Sequence, residues 1–166
     1  MDGEYAQRGQ NWLVELLRLS GFSTTVESGE SVTSLEADSC WLTIDHNQLT
    51  PVQIERLVGP QGSTIDAIQY LANTILNLGK PPTEQQAYTI ELGGYRLQRH
   101  TELRAIAETA AAQVRATGED FVIPSLSAAE RRLIHTYLKD FADLQTYSQG
   151  QEPQRYLTVR RPLPEA

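Results

Sequence analysis

Apolar residues in the first part of the chain occur with two different periods. A helical spacing of three and four residues runs through Trp12, Leu13, Leu16 and Leu17, and Gly21 follows it. Segments rich in Thr, Val, Ile and aromatic residues indicate strands. The predicted order is helix, strand, strand, helix, glycine turn, helix, strand. The first two strands are predicted at 22–27 and 40–45 as an antiparallel pair joined by a Gly/Ser/Glu-rich hairpin loop. The third is predicted at 88–92, where strict alternation predicts one buried face.

Two predicted helices flank the glycine turn. Thr50-Pro51 has the pattern of an N-cap followed by proline at the first helical position, and this helix runs into Gly59. A second helix follows the turn and must end by the Gly79-Lys80-Pro81-Pro82 segment. One apolar face is predicted for the second helix, made of Ile65, Ile68, Leu71, Ala72, Ile75 and Leu76.

The second part of the chain predicts a long helix, a short strand, a second helix and a hairpin. The long helix spans 95–117 and the strand 120–123. Ser127 and Glu130 have the capping-box spacing, so another helix begins there. Two closing strands, at 144–148 and 154–160, flank a turn-rich segment. Five residues are predicted to be buried by the capped helix, namely Leu133, Ile134, Tyr137, Leu138 and Phe141.

The composition is that of a globular protein. The chain has 166 residues, of which 40% are hydrophobic and 21% are charged, and no apolar run approaches the roughly 18 residues of a membrane span. The first ten residues match neither a secretory signal nor a transit peptide, so we expect a cytoplasmic protein. Cys40 is the only cysteine, which excludes an internal disulfide and a zinc site built from cysteines of this chain.

Charge is divided unevenly along the chain. The net charge is −7, but residues 1–93 carry 4 basic and 12 acidic residues, whereas residues 94–166 carry 10 basic and 9 acidic ones. This asymmetry predicts two modules with different electrostatic roles, and we place the boundary at Gly93-Gly94. The fold class predicted from the two parts is α+β, with two small domains.

The Gly-x-x-Gly sequence at 59–62 is the first candidate for chemistry. Glycines let a nucleic-acid backbone approach closely, and the helix that follows presents free N–H groups to phosphate. Two glycines three residues apart also occur in ordinary helix–turn–helix connections. The six-element unit around this loop has the order of a bacterial-type KH domain.

The second candidate is the Arg131-x-x-x-His135 pair. Its spacing places a guanidinium and an imidazole on one face of the capped helix, away from the apolar positions, where both can contact phosphate. Arg132 and Lys139 lie nearby in sequence. The alternative is a solvated polar face with an ordinary surface histidine. Three further arginines could extend a basic surface if the fold brings them there, namely Arg155, Arg160 and Arg161.

Taken together, these features resemble the bacterial Jag/KhpB family, also called the SpoIIIJ-associated proteins. The resemblance rests on residues 57–71, 94–96, 127–135 and 148–153. It implies a type II KH domain at 1–93 followed by an R-three-H domain at 94–166. Many members begin with a Jag domain, which we expect this chain to lack.

The family is RNA-binding, so the resemblance implies a single-stranded RNA-binding protein that acts as an RNA chaperone or post-transcriptional regulator. A small KH protein is the implied partner. An apolar groove beside the glycine loop would hold bases, with Ile54, Leu57 and Ile65 as its lining. Tyr95, Tyr137 and Tyr156 are candidates for stacking on a base. The implied RNA-binding residues are Gly59, Pro60, Gln61, Gly62, Arg131, Arg132, His135 and Lys139.

One departure from the family pattern supports an alternative function. Members usually have basic residues between the loop glycines, whereas Pro60 and Gln61 carry no charge and Pro60 has no N–H. The alternative is a protein–protein interaction module with weakened RNA affinity, linked to cell-envelope or membrane-insertion regulation. An enzyme is not expected, because no nucleophile, phosphate-loop or metal-ligand spacing is present. We predict no catalytic residue, metal, cofactor or small-molecule substrate.

Overall fold

The computed structural model describes residues 2–29, 39–151 and 154–162. The chain divides into two compact units, Met1–Leu97 and Gln98–Ala166. Most of the hairpin loop predicted in the first unit lies outside the described residues, as do two residues of the turn predicted at 149–153. None of the helices in the described ranges combines the length and the apolar character that crossing a membrane requires.

The first unit has the element order that the sequence predicts. Its sheet has the order β1-β2-β3, in which β1 runs antiparallel to β2 and β2 runs parallel to β3. Because parallel strands need a crossover, the two helices on either side of the glycine turn make that connection. The elements are α1 (Asp2–Leu19), β1 (Val26–Gly29), β2 (Ser39–Ile44), α2 (Pro51–Val58), α3 (Ser63–Ile75) and β3 (Ala87–Leu92).

Amide side chains of α3 and of the turn after it run along the free edge of β3. Gln69 and Asn73 are four residues apart on one face of α3, and Asn77 follows in the turn, four residues further on. The Asn73 amide accepts from Tyr88 N at 2.9 Å and donates to Tyr88 O at 2.8 Å. Asn77 makes the same pair of bonds with Gln86. These side chains replace a missing neighbouring strand and protect the sheet edge.

This arrangement corrects two sequence predictions in the first unit. Leu71 and Ile75 are 41% and 45% exposed, because α3 turns its amide row toward β3 and leaves these two side chains outside. Strand β3 is buried on both faces rather than one. Thr89 is hydrogen-bonded to the Ser39 hydroxyl, and the Glu91 carboxylate accepts from Leu92 N at 2.6 Å.

The second unit packs two helices against one face of an antiparallel sheet with the order β4-β6-β5. The predicted helix at 95–117 and the predicted closing hairpin are confirmed. The prediction that the capped helix buries Phe141 is wrong: α5 ends three residues earlier and the Phe141 ring is 44% exposed. The elements are α4 (Tyr95–Thr117), β4 (Phe121–Ile123), α5 (Ala128–Leu138), β5 (Gln145–Gln149) and β6 (Tyr156–Arg160).

The core of the second unit follows from its periodicities. Alternate residues of β6, Leu157 and Val159, point toward the helices and are almost completely buried. Helix α4 contributes alanines as well as larger residues, and small side chains allow it to pack closely. The remaining buried residues of this core are Leu103, Ala107, Ala110, Ala111, Val114, Ile123, Leu126, Ile134, Leu138 and Leu144.

Candidate functional site

A cleft of about 390 Å³ lies in the second unit beside α5. Four helix residues at positions 128, 131, 132 and 135 contribute to its wall, and this spacing places them on one face of α5. Residues of β5 and β6 form the other side. The lining residues are Ala128, Arg131, Arg132, His135, Thr146, Tyr147, Ser148, Arg155 and Leu157.

The predicted capping box sets where α5 begins. Glu130 N donates to the Ser127 hydroxyl at 3.2 Å, and Ser127 N donates to the Glu130 carboxylate at 2.8 Å. The same carboxylate accepts from Arg99 Nε of α4 at 2.7 Å. The first turn of α5 is therefore tied to α4, which fixes the rotation of the helix and the direction of its motif residues.

Arg131 is part of the cleft wall and part of the core at once. Its side chain is only 5% exposed, and Nη1 donates to the Leu126 carbonyl at 2.6 Å. The sequence predicted Arg131 on an open polar face, and the structure instead buries most of it at the base of α5. A guanidinium held in this way is a rigid donor, because its rotamers are fixed by packing.

His135 lies one turn further along α5 and is exposed. Its Nδ1 is hydrogen-bonded to the Thr146 hydroxyl of β5. This bond holds the imidazole against the strand, while Nε2 has no hydrogen-bond partner in the described ranges. The ring is thus oriented with one nitrogen left for a ligand.

Two exposed arginines add to the positive charge that Arg131 gives the cleft wall. Arg132 and Arg155 are exposed, and neither forms an ion pair with another residue that the structure describes. By contrast, Arg99, Arg104 and Arg115 in the same unit are each paired with a carboxylate. The cleft therefore holds two exposed cations that no described carboxylate neutralises.

The structure brings together Arg131, Arg132 and His135 but does not place Lys139 in the cleft wall. Lys139 caps the end of α5, where its side chain is exposed. The sequence predicts Arg155 only as an extension of a basic surface that depends on the fold, and the β5–β6 pairing brings it beside α5. Thr146 and Tyr147 were not predicted as site residues, because no motif marks them, and Ser148 was noted only as part of the segment that carries the family resemblance.

The glycine loop of the first unit is shaped by packing. Gly59 and Gly62 have positive φ values of 73° and 78°. A Cβ at Gly59 would lie 2.8 Å from Thr64 N, and one at Gly62 would lie 2.6 Å from Tyr95 Cζ. Both glycines are therefore required by the fold itself.

The surroundings of the loop offer few charges to an anion. Gln61 occupies the left-handed region with φ of 52° and is exposed, as is Pro60. The carboxylate of Asp66, in the first turn of α3, accepts from Arg96 Nη1 at 2.5 Å. This arginine is thereby held within the fold.

The apolar groove predicted beside the loop is not formed as expected. Leu57 is 3% exposed and Ile65 is fully buried, so both belong to the core and only Ile54 is partly accessible. Amphipathic periodicity marked these positions as apolar, but it does not distinguish a core face from a groove.

No group of three or more His, Cys, Asp or Glu side chains is placed to hold a metal ion, as far as the described ranges extend. Cys40 lies in β2 and is partly buried. Burial raises the pKa of the Cys40 thiol, which favours the unreactive protonated form. The thiol is therefore a packing group.

Comparison with known proteins places the cleft within a family domain. Residues 101–161 match the model of the R-three-H domain. The chain is similar to three proteins named RNA-binding protein KhpB. That of Lactiplantibacillus plantarum is 32% identical over 103 residues, 62% of this chain and 31% of the relative. That of Clostridium symbiosum is 29% identical over 103 residues, which cover 62% of this chain and 46% of the relative. That of Bacillus subtilis is 30% identical over 105 residues, which cover 62% of this chain and 50% of the relative.

The chain thus spans between about a third and a half of the length of the curated relatives it matches. The Arg131-x-x-x-His135 motif and the rest of the cleft wall lie inside the matched segment. Residues 101–161 of the second unit therefore match the R-three-H domain, and the chain is similar to the KhpB proteins.

Proposed function

We propose that this protein binds single-stranded RNA through the cleft of its R-three-H domain. The observation that carries the proposal is the grouping of Arg132 and Arg155, which have no ion-pair partner among the described residues, with the oriented imidazole of His135. The names of the relatives give RNA as their ligand.

Phosphate recognition divides between charge and geometry. Arg132 and Arg155 supply mobile cations that attract the RNA backbone and release its counterions. His135 and the hydroxyls of Thr146 and Ser148 supply hydrogen bonds at fixed positions. Arg131 keeps the wall of the cleft rigid. None of these contacts reads a base edge, so the cleft sets affinity and position on the strand.

The role that fits this chemistry is binding without catalysis. The described cleft wall offers guanidinium groups, an imidazole and hydroxyls, which are the groups that contact phosphate oxygens. An RNA chaperone or post-transcriptional regulator is the role that the family resemblance implies. A small KH protein is the partner that the family resemblance suggests.

For the first unit, the proposal is a type II KH domain at 1–93, with the R-three-H domain at 94–166. Its support is the order helix, strand, strand, helix, glycine turn, helix, strand. The loop Gly59-Pro60-Gln61-Gly62 is then a second RNA contact, in which exposed Gln61 lies closest to a passing strand.

A second candidate function assigns the first unit to protein contacts. Leu71, Ile75 and Leu78 are spaced along the outer side of the α3 region and are 41%, 45% and 78% exposed. The acidic net charge of residues 1–93 also opposes RNA. In this case the loop glycines serve only the fold.

Fluorescence anisotropy with a labelled single-stranded RNA of about 20 nucleotides tests the cleft. Arg132→Ala/Arg155→Ala should weaken binding about tenfold or more, since each arginine makes a charge-assisted contact. Arg18→Ala/Arg104→Ala is the control, because it removes the same charge from exposed ion pairs outside the cleft. Competition by duplex RNA of equal length tests the preference for a single strand. Equal losses in the two double variants would disprove the assignment.

Gln61→Glu separates the two functions of the first unit. A carboxylate at this exposed position repels a phosphate while keeping the size of the side chain. A severalfold loss of RNA affinity supports the KH contact. Unchanged affinity in a folded variant supports the protein-interaction function instead.

A further inference from the structure

The sheet of the R-three-H domain has a second face, turned away from the helices. Because side chains alternate along a strand, β6 points Tyr156, Thr158 and Arg160 to the side opposite Leu157 and Val159. In the antiparallel register Thr158 lies between Val122 of β4 and Tyr147 of β5. We name this surface the outer sheet face, made of Val122, Tyr147, Tyr156, Thr158 and Arg160.

The outer sheet face combines aromatic rings with an uncompensated cation. The Arg160 guanidinium lies 4.6 Å from the centroid of the Tyr147 ring. It forms no ion pair with the residues that the structure describes, and its Nε has no hydrogen-bond partner among them. The Thr158 hydroxyl, on a side chain only 2% exposed, is also without a partner there. Both atoms are buried, so the rings and the guanidinium plane are the groups of this face that a ligand can contact.

The spacing of these side chains suits an extended strand of bases. Along β6, Tyr156, Thr158 and Arg160 are each two residues apart, so their side chains on this face follow one another at intervals of roughly 7 Å. Bases splayed out of a single strand stack on aromatic rings and on arginine guanidinium planes. Tyr147 also belongs to the cleft wall, which makes the two surfaces continuous.

The other two tyrosines that the sequence analysis named for stacking, Tyr95 and Tyr137, do not offer such a surface. The Tyr95 ring fills the space beside Gly62, and burial raises the pKa of the Tyr137 hydroxyl. Tyr147 and Tyr156 are half-exposed, and their hydroxyls are held by Asp120 at 3.3 Å and by Gln149 at 3.1 Å. These bonds hold the two rings in place as rigid platforms.

We propose that the outer sheet face stacks bases of the RNA strand whose phosphates occupy the cleft, with Tyr156 and the Arg160–Tyr147 pair as the two stacking positions. The inference rests on the proposed function, because it assumes that RNA enters the cleft. Two surfaces of one domain would then contact different parts of the RNA: the cleft binds the phosphate backbone, and the outer sheet face stacks bases.

An RNA without bases tests the proposal directly. We would compare a labelled oligoadenylate of about 12 nucleotides with an abasic oligonucleotide of the same length and phosphate number. The wild type should bind the oligoadenylate at least about fivefold more tightly, since each stacked base contributes roughly 5- to 150-fold. Equal affinities would overturn the stacking proposal and leave the cleft assignment standing. Binding of neither oligonucleotide would overturn both.

Protein variants locate the stacking position. Tyr156→Leu should lose the part of the preference for the oligoadenylate that one of the two stacking positions contributes, without changing the salt dependence. Tyr156→Phe keeps the ring and the preference. Tyr70→Leu, at a 70% exposed tyrosine in the other unit, is the control. An unchanged preference in Tyr156→Leu would overturn the proposal. So would a wild-type dimer in analytical ultracentrifugation that Tyr156→Leu abolishes, since the face would then bind a second copy.

Discussion

At the scale of single residues, the glycine loop and the cleft differ in how far the fold explains their residues. Gly59 and Gly62 are fixed by backbone geometry and by close neighbours, so their presence is explained without a ligand. Arg132 and Arg155 contact no carboxylate within the described ranges, so the fold does not explain them. Residues without a structural role are the better candidates for binding.

Gly62→Ala should destabilise the first unit through lack of space. The new Cβ would collide with the Tyr95 side chain, in addition to the cost of a positive φ. Gly79→Ala is the matched control, because its φ is 75° and nothing lies within 4 Å of an added Cβ. We expect a loss of about 1 kcal/mol in the free energy of unfolding for the control and at least about 1 kcal/mol more for Gly62→Ala. Urea denaturation measures both, and equal losses would show that Tyr95 adjusts freely.

Arg131→Ala should destabilise the R-three-H domain more than Arg132→Ala does. The first substitution removes a buried charged donor from the Leu126 carbonyl, which should cost about 1.5–3 kcal/mol of the free energy of unfolding. The second changes an exposed side chain and should stay within about 0.5 kcal/mol. Thermal denaturation at fixed pH checks the difference. Similar stabilities would mean that Arg131 is a surface residue in solution.

Asp143 gives the R-three-H domain an acid-sensitive contact. Its hydrogen bond from Arg115 lowers the pKa of the carboxyl group below the ordinary value. A lowered folded-state pKa contributes stability that is present above the unfolded-state pKa and is lost as pH falls through the folded-state pKa. Asp143→Asn should therefore flatten the acid side of the stability profile, measured by urea denaturation from neutral pH down to about pH 2. High salt should weaken the effect, since both side chains are exposed. An identical profile for the variant would contradict this expectation.

At the scale of elements, the amide row of α3 decides how the first sheet ends. Gln69, Asn73 and Asn77 bond to the backbone of β3 and the residue before it, so the edge strand has partners without a fourth strand. The same rotation of α3 exposes Leu71 and Ile75. One contact pattern thus both closes the sheet and creates an exposed apolar stripe.

Asn73→Ala should cost about 2–4 kcal/mol of the free energy of unfolding, because the N–H and the C=O of Tyr88 both lose their partner. Thr74→Ala on the same helix is the control and should stay within about 0.5 kcal/mol. Urea denaturation gives both values. A loss below about 1 kcal/mol for Asn73→Ala would mean that water replaces the amide at this edge.

The elements themselves were largely predictable from sequence, and their partners were not. Local signals marked Thr50, Ser127 and Gly118 as helix ends, and the structure confirms each. Strand ends shifted by a few residues, because pairing in the sheet, rather than local composition, determines where a ladder begins. The amide row could not be predicted, since Gln and Asn on a helix are ordinarily read as a solvated face.

For the cleft too, the sequence predicted the local element but not its tertiary contacts. The Arg131-x-x-x-His135 spacing predicted one shared helix face, which the structure confirms. The burial of Arg131 and the position of Arg155 beside α5 depend on the tertiary fold. A motif therefore indicates which residues belong to a site, while the fold determines which of them are free to bind.

At the scale of the whole molecule, the net charge of the chain differs in sign from the local charge of the cleft. The chain carries a net charge of −7, and residues 1–93 account for the excess of acid. The cleft nevertheless collects cations that have no carboxylate partner within the described ranges. The affinity for RNA should therefore fall as salt rises, because counterions compete with the cleft cations for phosphate, while repulsion from the acidic residues lowers the affinity at low salt.

In the proposed complex, Arg132 and Arg155 neutralise RNA phosphates. The most direct measurement is the slope of log K against log salt concentration for a single-stranded RNA of about 20 nucleotides. Each phosphate contact to a single strand contributes about 0.7 to the magnitude of that slope. We predict that Arg132→Ala/Arg155→Ala reduces the magnitude by about 1.4, while Arg18→Ala/Arg104→Ala leaves it unchanged. An unaltered slope in the cleft variant would contradict the account.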